Sequence, residues 1–122
     1  MIFHMTSVHH ELLPESYLLL LLTPKASRIY GQSLKQGLRV ASRSGKAAVW
    51  VDCELVHALS NEAVRVLWKY HRRLQALHMK LVLVHASEEV QRGLLDWELG
   101  PTMCFAPTLF DAAWHTRQRV AA

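Results

Sequence analysis

The chain has 122 residues, of which 51% are hydrophobic and 20% are charged, and its formal net charge is +4. These proportions are ordinary for a globular protein and exclude a disordered chain or a fibrous repeat. A chain of this size buries about two-thirds of its unfolded surface in one core, so we expect a single domain over 1–122 with its core at about 5–116.

The first half of the chain predicts a hairpin, a helix and a strand. The runs SVHHELL and YLLLLLT flank a polar break that contains Pro14, which is typical of an antiparallel hairpin. Apolar residues then recur at helical spacing from Ser27 to Ser44, which predicts a first helix with Ser27 as its N-cap and Gly45 closing its end. The continuous apolar run AAVWVD predicts a parallel strand that is covered on both faces.

The second half predicts three helices that alternate with two strands. The predicted buried face of the second helix consists of Ala63, Leu67, Tyr70, Leu74 and Leu77, and its basic outer face of Arg65, Lys69, Arg72 and Arg73. After it come a strand, KLVLVHA, and a helix with a serine cap, SEEVQRGLLDWEL. A last strand, TMCFAP, and a last helix, TLFDAAWHTRQRV, complete the pattern, and Thr108 and Asp111 of this helix resemble a capping box. The pattern predicts an α/β fold, a mixed sheet of four to five strands with about four helices.

The apolar run from Tyr17 to Leu22 is too short to cross a bilayer, which takes roughly 20 residues. No secretory signal pattern is visible, so we expect a cytoplasmic protein without direct membrane insertion, in which Cys53 and Cys104 are reduced, packed thiols. Neither GxGxxG nor a P-loop motif occurs, so no nucleotide cofactor is expected.

Three segments carry a resemblance to a known family: VWVDCELVHALSNEAVRVL, YHRRLQALHMKLVLVHASEEVQRGLL and LGPTMCFAPTLFDAA. In order and length they resemble the STAS domain, the family of sulfate transporters and anti-sigma factor antagonists, over about nine-tenths of the chain. The resemblance implies a non-enzymatic bacterial regulator that docks on partner proteins. It implies in particular a corner before the second helix, where relatives carry a serine or threonine that a partner kinase phosphorylates.

The corner of this chain departs from the family pattern of Asp, Ser, Ser or Thr, and Gly. The aligned residues are Ser60, Asn61, Glu62 and Ala63, so side chains that cannot accept a phosphoryl group occupy the acceptor positions. Ser60 is the one hydroxyl of the corner and the one candidate phosphoacceptor, although an N-cap role accounts for it fully. Glu62 either stabilises the helix through its dipole or imitates a phosphorylated state. His78 stands where the family commonly has glycine after the second helix, and histidine can occupy a left-handed C-cap conformation, although less easily than glycine.

The surface expected to contact a partner consists of Leu55, His57, Ser60, Asn61, Glu62, Arg65 and Lys69. The first candidate partner is an anti-sigma kinase-like protein. The alternative is a role as cytoplasmic auxiliary subunit of an ABC-type transporter, bound to its ATPase. The last helix, with Trp114 and His115, is amphipathic enough to lie against the sheet or against a second copy in a homodimer. The basic residues are spread over several elements without a recognition motif, so nucleic acid is not an expected partner. Nucleic-acid binding through the basic face of the second helix stays as a third alternative, and it requires an affinity that falls steeply with salt.

Metal binding and catalysis are not expected from the residue spacing. The eight histidines share no CxxC or HExxH spacing, and two ligands on one strand face, His9 and Glu11, are more often a solvated face than a zinc site. Cys53, His57 and Asp52 have the residue types of a cysteine nucleophile with its base, but a cysteine beside a buried strand is usually inert packing. The side chains of Trp50, Trp68 and Trp97 are expected in the core or at an interface.

Overall fold

The computed structural model of the chain describes residues 8–22, 31–96 and 103–118, which form a five-stranded sheet and four helices. The strands are β1 (Val8–Leu12), β2 (Ser16–Leu21), β3 (Ala48–Asp52), β4 (Lys80–Val84) and β5 (Cys104–Ala106). The helices are α1 (Gly31–Ser42), α2 (Asn61–Ala76), α3 (Glu88–Leu95) and α4 (Leu109–Arg117).

The strands lie in the sheet in chain order, from β1 to β5. β1 and β2 form the predicted antiparallel hairpin, whereas β2, β3, β4 and β5 run parallel to one another. All five residues of β3 are buried, as expected for a strand with neighbours on both sides and helices on both faces. The mixed sheet and the α/β class predicted from the sequence are confirmed.

Successive side chains of a strand point to opposite faces, so the sheet separates two cores. On one face Leu19, Val51 and Leu83 belong to a core that also contains the buried residues of α1, α2 and α3. On the other face Trp50 and Val82 pack in a smaller core with α4. The carboxyl ends of β3 and β4 therefore emerge between two packed layers, which holds the turns that follow them in place.

The helix starts follow the cap residues that the sequence predicts. The Ser87 hydroxyl accepts the Val90 N–H at 3.2 Å at the start of α3. At the start of α4 the Thr108 hydroxyl accepts the Asp111 N–H at 3.1 Å and donates to the Asp111 carboxylate at 2.7 Å. Each side chain satisfies one of the N–H groups that lack an intrahelical partner in the first turn.

Helix α2 ends in a Schellman motif with a histidine in the left-handed position. The His78 N–H donates to the Gln75 carbonyl at 3.0 Å, and the Met79 N–H donates to the Leu74 carbonyl at 2.8 Å. His78 has a φ of 59°, a conformation that glycine adopts without steric cost. His78 thus adopts the left-handed conformation that histidine occupies less easily than glycine.

Replacing His78 with glycine is expected to stabilise the protein by about 0.5–1 kcal/mol, because a non-glycine residue in the left-handed region carries a steric cost that exceeds the extra entropy of glycine in the unfolded chain. Urea denaturation measures the change. His57→Gly, at a position without a positive φ, is the matched control and is expected to stabilise nothing. If the His78→Gly protein is less stable than the parent, the left-handed conformation of His78 does not carry the expected steric cost.

One expected buried position is wrong. The helical spacing places Leu77 on the inner face of α2, but its side chain is 51% exposed. The reason is that α2 ends at Ala76 and Leu77 is its C-cap residue, so the chain leaves the helical path there. Met79, two residues later, is buried in its place.

Trp50 and Trp68 are buried, as predicted. Three other expectations lie outside the described residues: the N-cap at Ser27, the placement of Trp97 and the helix stop at Gly100 and Pro101. None of the described helices is both long and apolar enough to span a bilayer.

Candidate functional site

The segment 53–60 connects β3 to α2 at the carboxyl edge of the sheet and forms the corner that the sequence singled out. Its start is tied to the neighbouring strand, because the Cys53 N–H donates to the Val84 carbonyl at 2.8 Å. The Asp52 carboxylate accepts the Glu54 N–H at 3.0 Å, and Val56, which is 3% exposed, anchors the middle of the segment in the core. Leu59, which is partly buried, also packs against this core. The corner is therefore held by hydrogen bonds and by apolar contacts with the core.

Ser60 is the N-cap of α2, as predicted. Its backbone is extended, with φ −68° and ψ 159°, and its hydroxyl accepts the Ala63 N–H at 3.1 Å. The following turn carries Glu62, whose carboxylate lies at the positive end of the helix dipole. The serine side chain is only partly exposed.

Replacing Ser60 with alanine is expected to destabilise the protein by about 1 kcal/mol, because the Ala63 N–H loses its acceptor. Ser60→Asp retains an acceptor at the same place and adds a charge that the helix dipole favours, so it is expected to keep the parent stability. Urea denaturation of the two variants checks both values. Equal stability of the alanine variant and the parent would show that the cap contributes nothing.

The remaining residues of the predicted contact surface are accessible to solvent. Leu55 is 50% exposed, and His57, Asn61 and Glu62 are exposed at the end of the corner and in the first turn of α2. We call the whole set the corner surface; its members are Leu55, His57, Ser60, Asn61, Glu62, Arg65 and Lys69. Leu55 is thus an exposed apolar side chain among polar ones, on a backbone that hydrogen bonds and core contacts hold in place. Such a surface is suited to protein recognition.

The charges of the corner surface are arranged along one side of α2. Arg65 and Lys69 are exposed and four residues apart, so they lie one above the other on the helix. Arg72 and Arg73 continue this basic side toward the end of the helix and are exposed as well. Glu62 is the acidic residue of the first turn. A partner that covers this side meets one negative charge at the corner and positive charges beyond it.

The cysteine at the corner is not in the state of a nucleophile. Cys53 is 1% exposed, and its thiol lies 3.8 Å from the Val51 carbonyl oxygen as a hydrogen-bond donor. Burial, reinforced by the negative charge of Asp52, raises the pKa of the Cys53 thiol to about 12. Burial also raises the pKa of the half-buried Cys104 thiol, although Lys80 opposes the shift. Both cysteines are free.

Asp52 contacts a histidine other than the one that sequence proximity suggested. Its carboxylate oxygen lies 3.0 Å from Nδ1 of His85, which follows β4. Glu54 completes a group of three whose ligand-type atoms all lie within 4.8 Å of one another. His9 and Glu11 are exposed on β1, and no such group includes them among the residues that the structure describes.

No local sequence pattern links these three side chains, because His85 lies 33 residues beyond Asp52. A usable signal was present: both residues follow or end predicted parallel strands, and the carboxyl ends of such strands meet at one edge of the sheet.

Sequence comparison finds no matching family model and no matching curated protein. Solved structures do match. A serine-to-glutamate variant of RsbS from Moorella thermoacetica has a TM-score of 0.73 and 15% identity, with 90% of this chain and 94% of that chain covered. An anti-sigma factor antagonist from Mycobacterium paratuberculosis has a TM-score of 0.75 and 17% identity, with 91% and 93% covered.

The anti-sigma factor antagonist SpoIIAA, in its unphosphorylated form, has a TM-score of 0.71 and 17% identity, and 93% of this chain and 99% of that chain are covered. At such identities the likeness establishes the fold. It extends over nearly the full length of each relative, because 93–99% of each of those chains is covered. The resemblance seen in the sequence is thus confirmed at the level of architecture: the chain has the STAS fold of the anti-sigma factor antagonists.

Proposed function

We propose that this chain is a non-enzymatic regulator that binds a partner protein through the corner surface, as an anti-sigma factor antagonist does. The observation that carries the proposal is the accessibility of the corner surface on a segment that backbone bonds and Val56 hold in place. A preorganised epitope loses little conformational entropy when it binds. Two of the structural relatives are named as anti-sigma factor antagonists, which supports an anti-sigma factor as the class of partner.

The partner that fits best is an anti-sigma kinase-like protein with an acidic patch opposite α2. Arg65 and Lys69 would meet this patch, and the exposed Leu55 would fill an apolar recess near it. One structural relative, at TM-score 0.69 and 14% identity, comes from the stressosome, described as a signal integration and transduction hub. Signalling by reversible association is therefore the first context to test.

Control by phosphorylation of the corner is not part of the proposal. Asn61 and Glu62 occupy the acceptor positions and lack a hydroxyl, and the hydroxyl of Ser60 is engaged in capping α2. Glu62 keeps a carboxylate at the helix start in every state of the protein. We expect association to be constitutive with respect to a corner kinase.

The test is affinity capture with the tagged chain in lysate of its native cell, followed by mass spectrometry. An anti-sigma kinase-like protein captured by the parent chain, and lost with the double variant Arg65→Glu and Lys69→Glu, would support the proposal. Capture of a transporter ATPase would replace the sigma-factor context by transporter regulation. Capture of the same proteins by parent and double variant would remove the corner surface from the account.

A further inference from the structure

We propose that Asp52, Glu54 and His85 form a binding site for one divalent transition-metal ion of the zinc class. The proposal rests on these three side chains alone and is independent of the proposed partner. It extends to the corner a chemical role that residue spacing did not indicate.

The fold brings the three ligands together at the carboxyl edge of the sheet. Asp52 is the last residue of β3, and in the parallel register it lies opposite Val84, the last residue of β4. His85 follows Val84 directly, and its N–H donates to the Ala106 carbonyl of β5 at 3.0 Å. The aspartate and the histidine are thus fixed on adjacent strand ends, which is where open parallel sheets bind their ligands.

The distances suit a metal ion of ordinary size. Nδ1 of His85 lies 3.0 Å from the Asp52 oxygen and 3.9 Å from the Glu54 oxygen. Two ligand atoms on a tetrahedral zinc ion, each bound at about 2.0–2.1 Å, lie about 3.3 Å apart. Glu54 has a side chain that is 65% exposed, so small rotations close the remaining gap. The Asp52 side chain, only 7% exposed, is already fixed.

The donor set indicates the class of ion. One imidazole nitrogen with two carboxylate oxygens suits zinc and its transition-metal neighbours, whereas magnesium and calcium prefer oxygen ligands alone. Three protein ligands leave a fourth position of a tetrahedral ion open to water or to a side chain of another molecule. Because Glu54 lies in the corner, a bound ion would join the corner to the ends of β3 and β4.

Isothermal titration of the full chain with zinc chloride tests the site. The parent is expected to bind one zinc ion per chain at this place. His85→Gly suits the φ of 57° at that position, and it is expected to weaken zinc binding at least about 100-fold because a direct ligand is lost. Glu54→Gln is expected to weaken it at least about 10-fold. His9→Ala, which removes an exposed histidine on β1, is the matched control and should bind as the parent does.

Two further measurements keep the outcome decisive. Zinc should raise the thermal midpoint of the parent and of His9→Ala, and should leave that of His85→Gly unchanged. Magnesium and calcium should produce no saturable heat. The proposal is overturned if the parent shows no saturable zinc uptake. It is also overturned if His85→Gly and Glu54→Gln both take up zinc as the parent does, or if the parent binds magnesium as well as it binds zinc.

Discussion

Replacing Trp68 with alanine is expected to lower the free energy of unfolding by about 3–5 kcal/mol, the cost of deleting a large buried aromatic side chain. Trp68 is 2% exposed, and it packs in the core that joins α2 to the sheet. Its indole N–H donates to the Leu94 carbonyl at 2.9 Å, near the end of α3. The alanine variant therefore loses both the apolar contacts and the bond that fastens α3 to α2. Urea denaturation followed by circular dichroism measures the change.

Two variants separate these contributions. Trp68→Phe keeps most of the apolar area but removes the bond to Leu94, so an intermediate loss is expected, with about 1 kcal/mol attributable to the hydrogen bond. Trp114→Ala removes a tryptophan of α4 that is 56% exposed, and a change within about 0.5 kcal/mol is expected there. Losses of similar size at Trp68 and Trp114 would contradict the burial of the first.

The double charge reversal Arg65→Glu and Lys69→Glu is expected to weaken binding of the captured partner by at least about 100-fold. Its physical basis is that like charges placed opposite one another across an interface cost several kcal/mol, and each 1.4 kcal/mol is a factor of ten in affinity. Both side chains are exposed on α2, so the fold should tolerate the change. Titration calorimetry with the purified partner measures the affinity.

The matched control is Arg39→Glu with Arg43→Glu. These two arginines are also exposed and four residues apart, but they lie at the end of α1 and just beyond it, away from the carboxyl edge of the sheet. The control changes the net charge of the protein by the same amount. If it weakens binding as much as the reversal on α2, the effect is one of overall charge and the corner surface is not the epitope.

Most of the architecture could be predicted because the local sequence signals of the strands and helices agree with the fold that they form. Continuous apolar runs define the parallel strands, and the cap residues Ser60, Ser87 and Thr108 mark helix starts that the structure confirms. The alternation of strands and helices then leaves few topologies, since each parallel connection requires a crossover. The left-handed conformation of His78 was compatible with the sequence but not required by it, because histidine adopts this conformation less easily than glycine.

What could not be predicted depends on tertiary geometry. The helical spacing of Leu77 continues that of α2, but the helix ends one residue earlier and the side chain is exposed. The strand pattern places Asp52 and His85 at the same edge of the sheet, but their direct contact depends on the register of β3 and β4, which no local pattern encodes. The exposed basic side of α2, on which part of the proposed contact surface lies, could be predicted from the sequence because it follows from the amphipathic pattern.

The central claim, that the corner surface is the epitope, is tested most directly by hydrogen–deuterium exchange of the chain alone and in complex with its captured partner. The account predicts new protection over 53–69, the corner and the first half of α2, with the amides of α4 exchanging as in the free chain. Protection confined to α4 or to the β1 edge, with no change over 53–69, would contradict it.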